Sequence, residues 1–273
     1  MANQILVSAV QMISTDNVDV NLKAARRLVL EAATQSAQIV VLPEYFCLLS
    51  PVESDKFKIA ETVGVGPIQS FLKNLAQEAG VFLVAGTIPI WSSDGQRVTN
   101  TQLVFSPSGA LLARYDKIHL FSYRNETESY NEARSIMPGN KPVRVELPST
   151  VIGLSTCYDL RFPELYRSLT PVDLLVMPAA FTATTGKAHW EPLIRARAIE
   201  NQAYMLAAAQ GGEHVGGRRT WGHSMLVDPW GEIVVEMELG EGIVTGQVDL
   251  DRIAQVRSDL PALNHRVLGL DIN

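Results

Sequence analysis

Two stretches carry the architecture: Val40-Val-Leu-Pro43-Glu44-Tyr-Phe46 and Leu174-Leu-Val-Met-Pro178-Ala-Ala-Phe181. Each is a short apolar run of strand length that ends on a proline and an aromatic residue. Around each, the same order of elements recurs. In the first half a strand is expected at Ile5–Val10, a helix at Asn21–Ser36, and a strand at Ile39–Leu42. A helix at Ile68–Ala79, closed by Gly80, and a strand at Val81–Ile88 follow. Thr101–Phe105 and Ala110–Tyr115 then flank the hairpin turn Ser106-Pro-Ser-Gly109. In the second half Ile152–Thr156, Leu174–Phe181, the helix Trp190–Glu200 and Ala203–Ala209 repeat the pattern. Ser224–Val227 and Glu232–Glu236 flank its turn, Asp228-Pro-Trp-Gly231. A repeated plan of this kind points to two pseudo-twofold halves. Each would be a mixed sheet with helices on its outer face, and the two would pack sheet to sheet as a four-layer αββα sandwich. No low-complexity linker parts the halves, so residues 1–273 are read as one α/β domain, with an arm from about 258 to 273.

Composition limits the partners. The chain has 273 residues, 47% of them hydrophobic and 19% charged, with a net charge of −6. That describes a folded domain with an ample core and no basic footprint for nucleic acid. No run reaches membrane-spanning length, and the N-terminus lacks the basic region of a secretory signal. With only Cys47 and Cys157 and no C-x-x-C pair, a reduced, cytoplasmic protein is expected. No histidine pair has metal-ligand spacing, and no dinucleotide or P-loop fingerprint occurs, so neither a metal nor a cofactor is expected. Gly211-Gly-Glu-His-Val-Gly-Gly-Arg218-Arg219 is glycine-rich but reads as a loop.

The chemistry concentrates at Val151-Ile-Gly-Leu-Ser-Thr-Cys157-Tyr-Asp-Leu-Arg161-Phe-Pro163-Glu-Leu-Tyr166. An apolar strand ends on a cysteine, and a proline-started helix follows. A nucleophile at such an elbow stands clear of the sheet edge, next to backbone N–H groups suited to an oxyanion. Singly, Cys157 reads as a packed thiol, Glu44 as a loop charge and Lys117 as a solvated lysine. Amide hydrolysis by a thiol, however, needs a proton acceptor, a nucleophile and positive charge at the oxyanion, and these three supply all of it.

The segments Val-Leu-Pro-Glu44-Tyr-Phe, Tyr-Asp-Lys117-Ile-His-Leu-Phe and Ser-Thr-Cys157-Tyr-Asp-Leu-Arg-Phe-Pro-Glu resemble, in order, the three signature motifs of the nitrilase superfamily of carbon–nitrogen hydrolases. The resemblance spans nearly the whole chain. It implies the αββα sandwich, a homodimer or larger homo-oligomer, and a Glu44–Lys117–Cys157 triad acting through a thioester. Lys117 and the backbone N–H of Tyr158 would hold the oxyanion. It also implies a fourth carboxylate between the lysine and cysteine motifs. Of the three glutamates in Asn125-Glu-Thr-Glu-Ser-Tyr-Asn-Glu132, Glu128 fits best, with Glu126 in reserve. Ala-His189-Trp-Glu, Arg195-Ala-Arg-Ala-Ile-Glu200 and Gly222-His-Ser-Met are most like the branch that acts on deaminated glutathione. The expected activity is therefore hydrolysis of the carboxamide of a small acidic metabolite with release of ammonia. An ω-amidase acting on α-ketoglutaramate is the close alternative, and a nitrilase a further one. Arg161, Phe181, Thr182, Arg218 and Arg219 are candidate substrate contacts, although Arg161 reads first as a structural partner of Asp159 or Glu164. Two other classes stand beside these: a cysteine–histidine hydrolase with His119 or His189 as base, and a catalytically silent binding protein.

Overall fold

The computed structural model describes residues 3–126 and 129–268. Its strands form two large mixed sheets. In the first, the order is Gly242–Asp249, Gln4–Gln11, Ile39–Val41, Phe82–Val84, Val98–Phe105 and Ile88–Trp91, with Leu111–Asp116 also paired to Val98–Phe105. In the second it is Ile233–Met237, Ser224–Val227, Tyr204–Ala209, Leu174–Ala179, Thr150–Leu154 and Arg144–Leu147. Each sheet has a parallel triplet at its centre, an antiparallel hairpin on one side and one antiparallel strand on the other. The expected pseudo-twofold repeat is therefore present. The strand that completes the first sheet, Gly242–Asp249, comes from the far end of the chain and pairs along all of Gln4–Gln11.

Both faces of the central strands are buried, which explains their unbroken apolar character. Along Ile39–Val41 and the residue beyond it, Ile39 and Val41 enter the core shared with the second sheet. Val40 and Leu42 enter the core beneath Val18–Thr34 and Pro67–Ala79. The helices Ala183–Asn201 and Pro163–Leu169 cover the second sheet on its outer side with Trp190, Ile194, Leu165 and Tyr166. Strand Gln4–Gln11 packs on Tyr204–Ala209 across the middle. The layers run helix, sheet, sheet, helix.

Helix ends obey local chemistry. The Asn17 side chain accepts from Val20 N at 3.1 Å and starts the first helix three residues earlier than its apolar pattern indicates. Pro67 opens the next helix and Gly80, at φ 67°, closes it. Two expectations need correction. The helix expected at Trp190 begins at Ala183, under a Thr182 cap, and runs through Pro192. The low-propensity turn Thr184-Thr185-Gly186 is held by packing: a Cβ on Gly186 would lie 2.3 Å from Trp221 Cγ. The strand expected over Val81–Ile88 is two strands, Phe82–Val84 and Ile88–Trp91. The chain breaks at Gly86, φ 43°, where a Cβ would meet the Pro43 carbonyl oxygen at 2.2 Å. At the C-terminus, Leu250–Asp259 is helical and Ala262–His265 forms a short 3-10 turn, so the arm begins in the last turn of a helix.

Candidate active site

The break at Gly86 places the first catalytic candidate. It brings Thr87 to the turn after Pro43, where Thr87 Oγ1 accepts from Tyr45 N at 2.9 Å. Gln210 Nε2, from the other sheet, donates to the Glu44 carbonyl at 3.0 Å. Tyr45 is left-handed, φ 57°, and this bend turns the Glu44 carboxylate into the molecule, where it is 1% exposed. Asn100 Nδ2 and Lys117 Nζ each donate to Glu44 Oε1 at 2.9 Å, and Ala180 N donates to Oε2 at 2.9 Å.

Lys117 extends the ladder of Leu111–Asp116 by one residue, its N–H donating to the Asn100 carbonyl. Its ammonium is wholly buried between Glu44 and Glu132, with 2.8 Å to Glu132 Oε2 and 3.1 Å to Oε1. Glu132 in turn accepts from Tyr45 Oη at 2.7 Å and Phe121 N at 2.7 Å. Burial opposes a charge on Lys117, but Glu132 and Glu44 outweigh it and hold its pKa well above the usual lysine value. Burial likewise opposes ionisation of Glu132, and Lys117 overrides it, so the Glu132 pKa falls. The ammonium is thus fixed in place and permanently charged.

One of the three glutamates offered for the fourth carboxylate meets Lys117. Glu132, the last of the three glutamates in its segment, pairs with Lys117, while Glu126 is exposed at the tip of a hairpin. Glu128, the better match by pattern, lies outside the described residues. Sequence alone does not separate the three, because the choice depends on where the hairpin Ser122–Arg124 and Ser129–Asn131 returns the chain.

Cys157 opens a short 3-10 turn, Cys157–Arg161, at φ 48°, a left-handed conformation that a β-carbon-bearing residue rarely adopts. A capping box holds the elbow: Thr156 and Asp159 exchange side-chain and backbone hydrogen bonds. Asp159 is fully buried and accepts also from Tyr115 Oη at 2.6 Å, His119 N at 3.0 Å and the His119 ring at 2.7 Å. That one carboxylate ties the chain carrying Lys117 to the chain carrying Cys157. It also engages the His119 ring, which stacks on Phe162 at 3.7 Å between centroids. His189 lies within helix Ala183–Asn201, in contact with Arg161. Burial first, then the nearby Glu44 carboxylate, push the Cys157 thiol up, with Lys117 opposing them. Cys157 therefore rests as a thiol, and as a nucleophile it would need a base.

Glu44, Glu132, Cys157, Tyr158, Arg161, Phe181, Thr182 and Arg218 enclose an inner chamber of only about 10 Å³. Most substrate candidates are thus brought together. Arg161 pairs with neither Asp159, which is saturated elsewhere, nor Glu164; its guanidinium lies 5.2 Å from the Phe181 ring centre and 5.6 Å from that of Tyr158. Arg219 is exposed and lines neither this chamber nor the cleft beyond it. The glycine-rich segment is a tight turn, with His214 N donating to the Arg218 carbonyl and the His214 ring buried against Ser14 and Thr220. Among the described residues no group of three His, Cys, Asp or Glu side chains is placed to hold a metal ion. Asn100, Asp159 and the Ala180 N–H are parts of the site that sequence reading did not single out.

The chain is similar to known proteins along nearly its whole length. The model of the carbon–nitrogen hydrolase family matches residues 6–258. Deaminated glutathione amidase of Synechocystis sp. is 41% identical over 268 residues, covering 96% of this chain and 98% of the relative. The omega-amidase NIT2 of Xenopus tropicalis is 37% identical over 264 residues, covering 95% and 94%. The crystal structure of Nit3 from Saccharomyces cerevisiae, of the nitrilase superfamily, superposes with a TM-score of 0.85 at 31% identity, covering 94% of each chain.

Proposed function

This chain belongs to the carbon–nitrogen hydrolase family, and from that premise we propose an amidase that opens the side-chain amide of a small 2-oxo acid, foremost deaminated glutathione. It is a hydrolase of carbon–nitrogen bonds other than peptide bonds. One observation carries the catalytic reading: the Lys117 ammonium is held between Glu44 and Glu132 beside a cysteine poised on a strained elbow.

The steps follow from residue chemistry. The Glu44 carboxylate takes the proton from Cys157 Sγ, and the thiolate adds to the amide carbon. Lys117 Nζ and the Tyr158 N–H receive the oxyanion, and losing one such donor costs about 3–4 kcal/mol. As the carbon–nitrogen bond breaks, Glu44 returns the proton to the departing amine, leaving a Cys157 thioester. Glu44 then takes a proton from water, hydroxide adds to the thioester, and collapse releases the acid and the thiolate, which recovers the proton. From α-ketoglutaramate the amine is ammonia. In deaminated glutathione the amide nitrogen belongs to cysteinylglycine, so the dipeptide departs instead.

Arg161 and Thr182 in the inner chamber suit the carboxylate of the 2-oxo acid, and Arg218 stands at its edge. Both cysteines are free, and of the two only Cys157 lines the inner chamber with Glu44. No helix among the described residues is long and apolar enough to cross a membrane. The reading includes a cytoplasmic setting and a homodimer, the latter to be checked by sedimentation. The deciding assay offers deaminated glutathione and α-ketoglutaramate at equal concentration. Higher kcat/KM on deaminated glutathione supports this assignment, and a preference for α-ketoglutaramate replaces it with the ω-amidase reading.

A further inference from the structure

Beside the inner chamber lies a far larger cleft, about 390 Å³, lined by two charged groups, Lys56 and Glu53, that the mechanism leaves unused. Phe121, Glu132 and Arg218 line both spaces, so the cleft and the nucleophile share one wall. Ammonia needs no such room, since a molecule the size of water occupies only about 30 Å³. A cleft more than ten times that volume, abutting the reacting centre, is suited to a substantial organic group.

Its electrostatics indicate which kind. Lys56 lines the cleft, and its ammonium donates to a neutral hydroxyl, Ser135 Oγ, at 2.9 Å rather than to a carboxylate. Glu53, which also lines the cleft, is engaged by that hydroxyl, accepting from Ser135 Oγ at 2.6 Å. Burial depresses the Lys56 pKa, with Glu53 and Glu132 opposing it, as expected of a cation short of counter-charge. Glu132 supplies little of that charge, because Lys117 already neutralises it at 2.8 Å. On the shared wall, Arg218 lies 5.4 Å from the Tyr130 ring centre and donates to the Ala180 carbonyl at 3.1 Å. Its buried Nε has no hydrogen-bond partner among the described residues. The cleft therefore presents two cations with capacity to bind. Arg161, by contrast, lines only the inner chamber, four residues from Cys157 and within reach of a short acyl group.

We propose that the outer cleft is the subsite for the amine half of the substrate, built for a short peptide or amino acid that ends in a free carboxylate and anchored there by Lys56. The assignment rests on the amidase reading above. It makes the enzyme selective for secondary amides with an anionic leaving group over primary amides that release only ammonia. Arg218 divides the two halves, with the acyl carboxylate on the Arg161 side and the leaving-group carboxylate on the Lys56 side.

The test uses the full chain and three amides of α-ketoglutaric acid, each acylated through its γ-carboxyl: the cysteinylglycine amide, the same compound with its C-terminal carboxylate amidated, and the primary amide. For the wild type we expect kcat/KM on the free-carboxylate peptide to exceed that on the amidated one by about tenfold, mostly in KM, the size of one charge-assisted contact. Lys56→Met should erase that ratio, and Lys56→Arg should retain most of it, which separates loss of the anchor from general damage to the fold. Equal rates of the wild type on both peptides would overturn the subsite, as would a preference that survives in Lys56→Met. If the wild type cleaves none of the three amides, the amidase reading itself falls.

Discussion

At the residue scale, the site depends on one ammonium shared by two carboxylates, and the two have different duties. Glu44 lies in the chamber with the nucleophile, so Glu44→Gln should lower kcat by about 10²–10⁴, the usual contribution of a general base. A cysteine–histidine hydrolase would instead survive Glu44→Gln and fail on loss of His119 or His189. Glu132 acts through Lys117. Glu132→Gln should cost about 10–100-fold in kcat with little change in KM, the effect of removing a partner from a buried charge. Glu126→Gln, at an exposed hairpin tip, should match the wild type. The pair of measurements tells the positioning carboxylate from its sequence neighbour. Because burial and Glu44 raise the Cys157 pKa, its alkylation by iodoacetamide should be slow at neutral pH. The rate should keep climbing with pH past the range where an ordinary cysteine levels off, and a plateau in the ordinary range would contradict the buried, protonated resting state.

At the scale of elements, the groups proposed for catalysis are held by interruptions rather than by regular structure. Glu44 follows a strand that stops at Val41, Lys117 follows one that stops at Asp116, and Cys157 begins a 3-10 turn. Gly86 makes the first interruption possible, because any side chain there meets both an unfavourable φ and the Pro43 carbonyl. Gly86→Ala should destabilise the protein by about 1–3 kcal/mol and reduce kcat as well, since the displaced turn carries Glu44. Thermal unfolding and steady-state kinetics on one preparation check both. The break was hidden in the sequence, where Val81–Ile88 reads as one apolar run with a single glycine. The early start of helix Ala183–Asn201 was hidden for a related reason: Gly186 is chosen by the approach of Trp221, a contact with no local signature.

At the scale of the whole molecule, the active site spans the boundary between the two halves. Gln210, on the second half, donates to Ser14 Oγ at 2.7 Å and the Glu44 carbonyl at 3.0 Å, and accepts from Ser14 N at 3.0 Å. Gln210→Ala removes all three buried bonds, so it should lower the thermal midpoint and kcat together, at a cost of about 1–3 kcal/mol or more in stability. Unchanged activity would show that the sheet packing alone fixes Glu44. The alternation of strands and helices, the repeated halves and the three residues proposed as the triad are legible in the sequence alone. Those follow from apolar periodicity and from motifs whose spacing is local. Packing of the layers is what brings Glu132 onto Lys117, joins the lysine and cysteine segments through Asp159, and lets Arg161 line the chamber while Arg219 does not. Each of these is a contact between residues distant in sequence or set by a turn's direction, and hydrogen bonds at 2.6–3.1 Å exist only once the layers have packed.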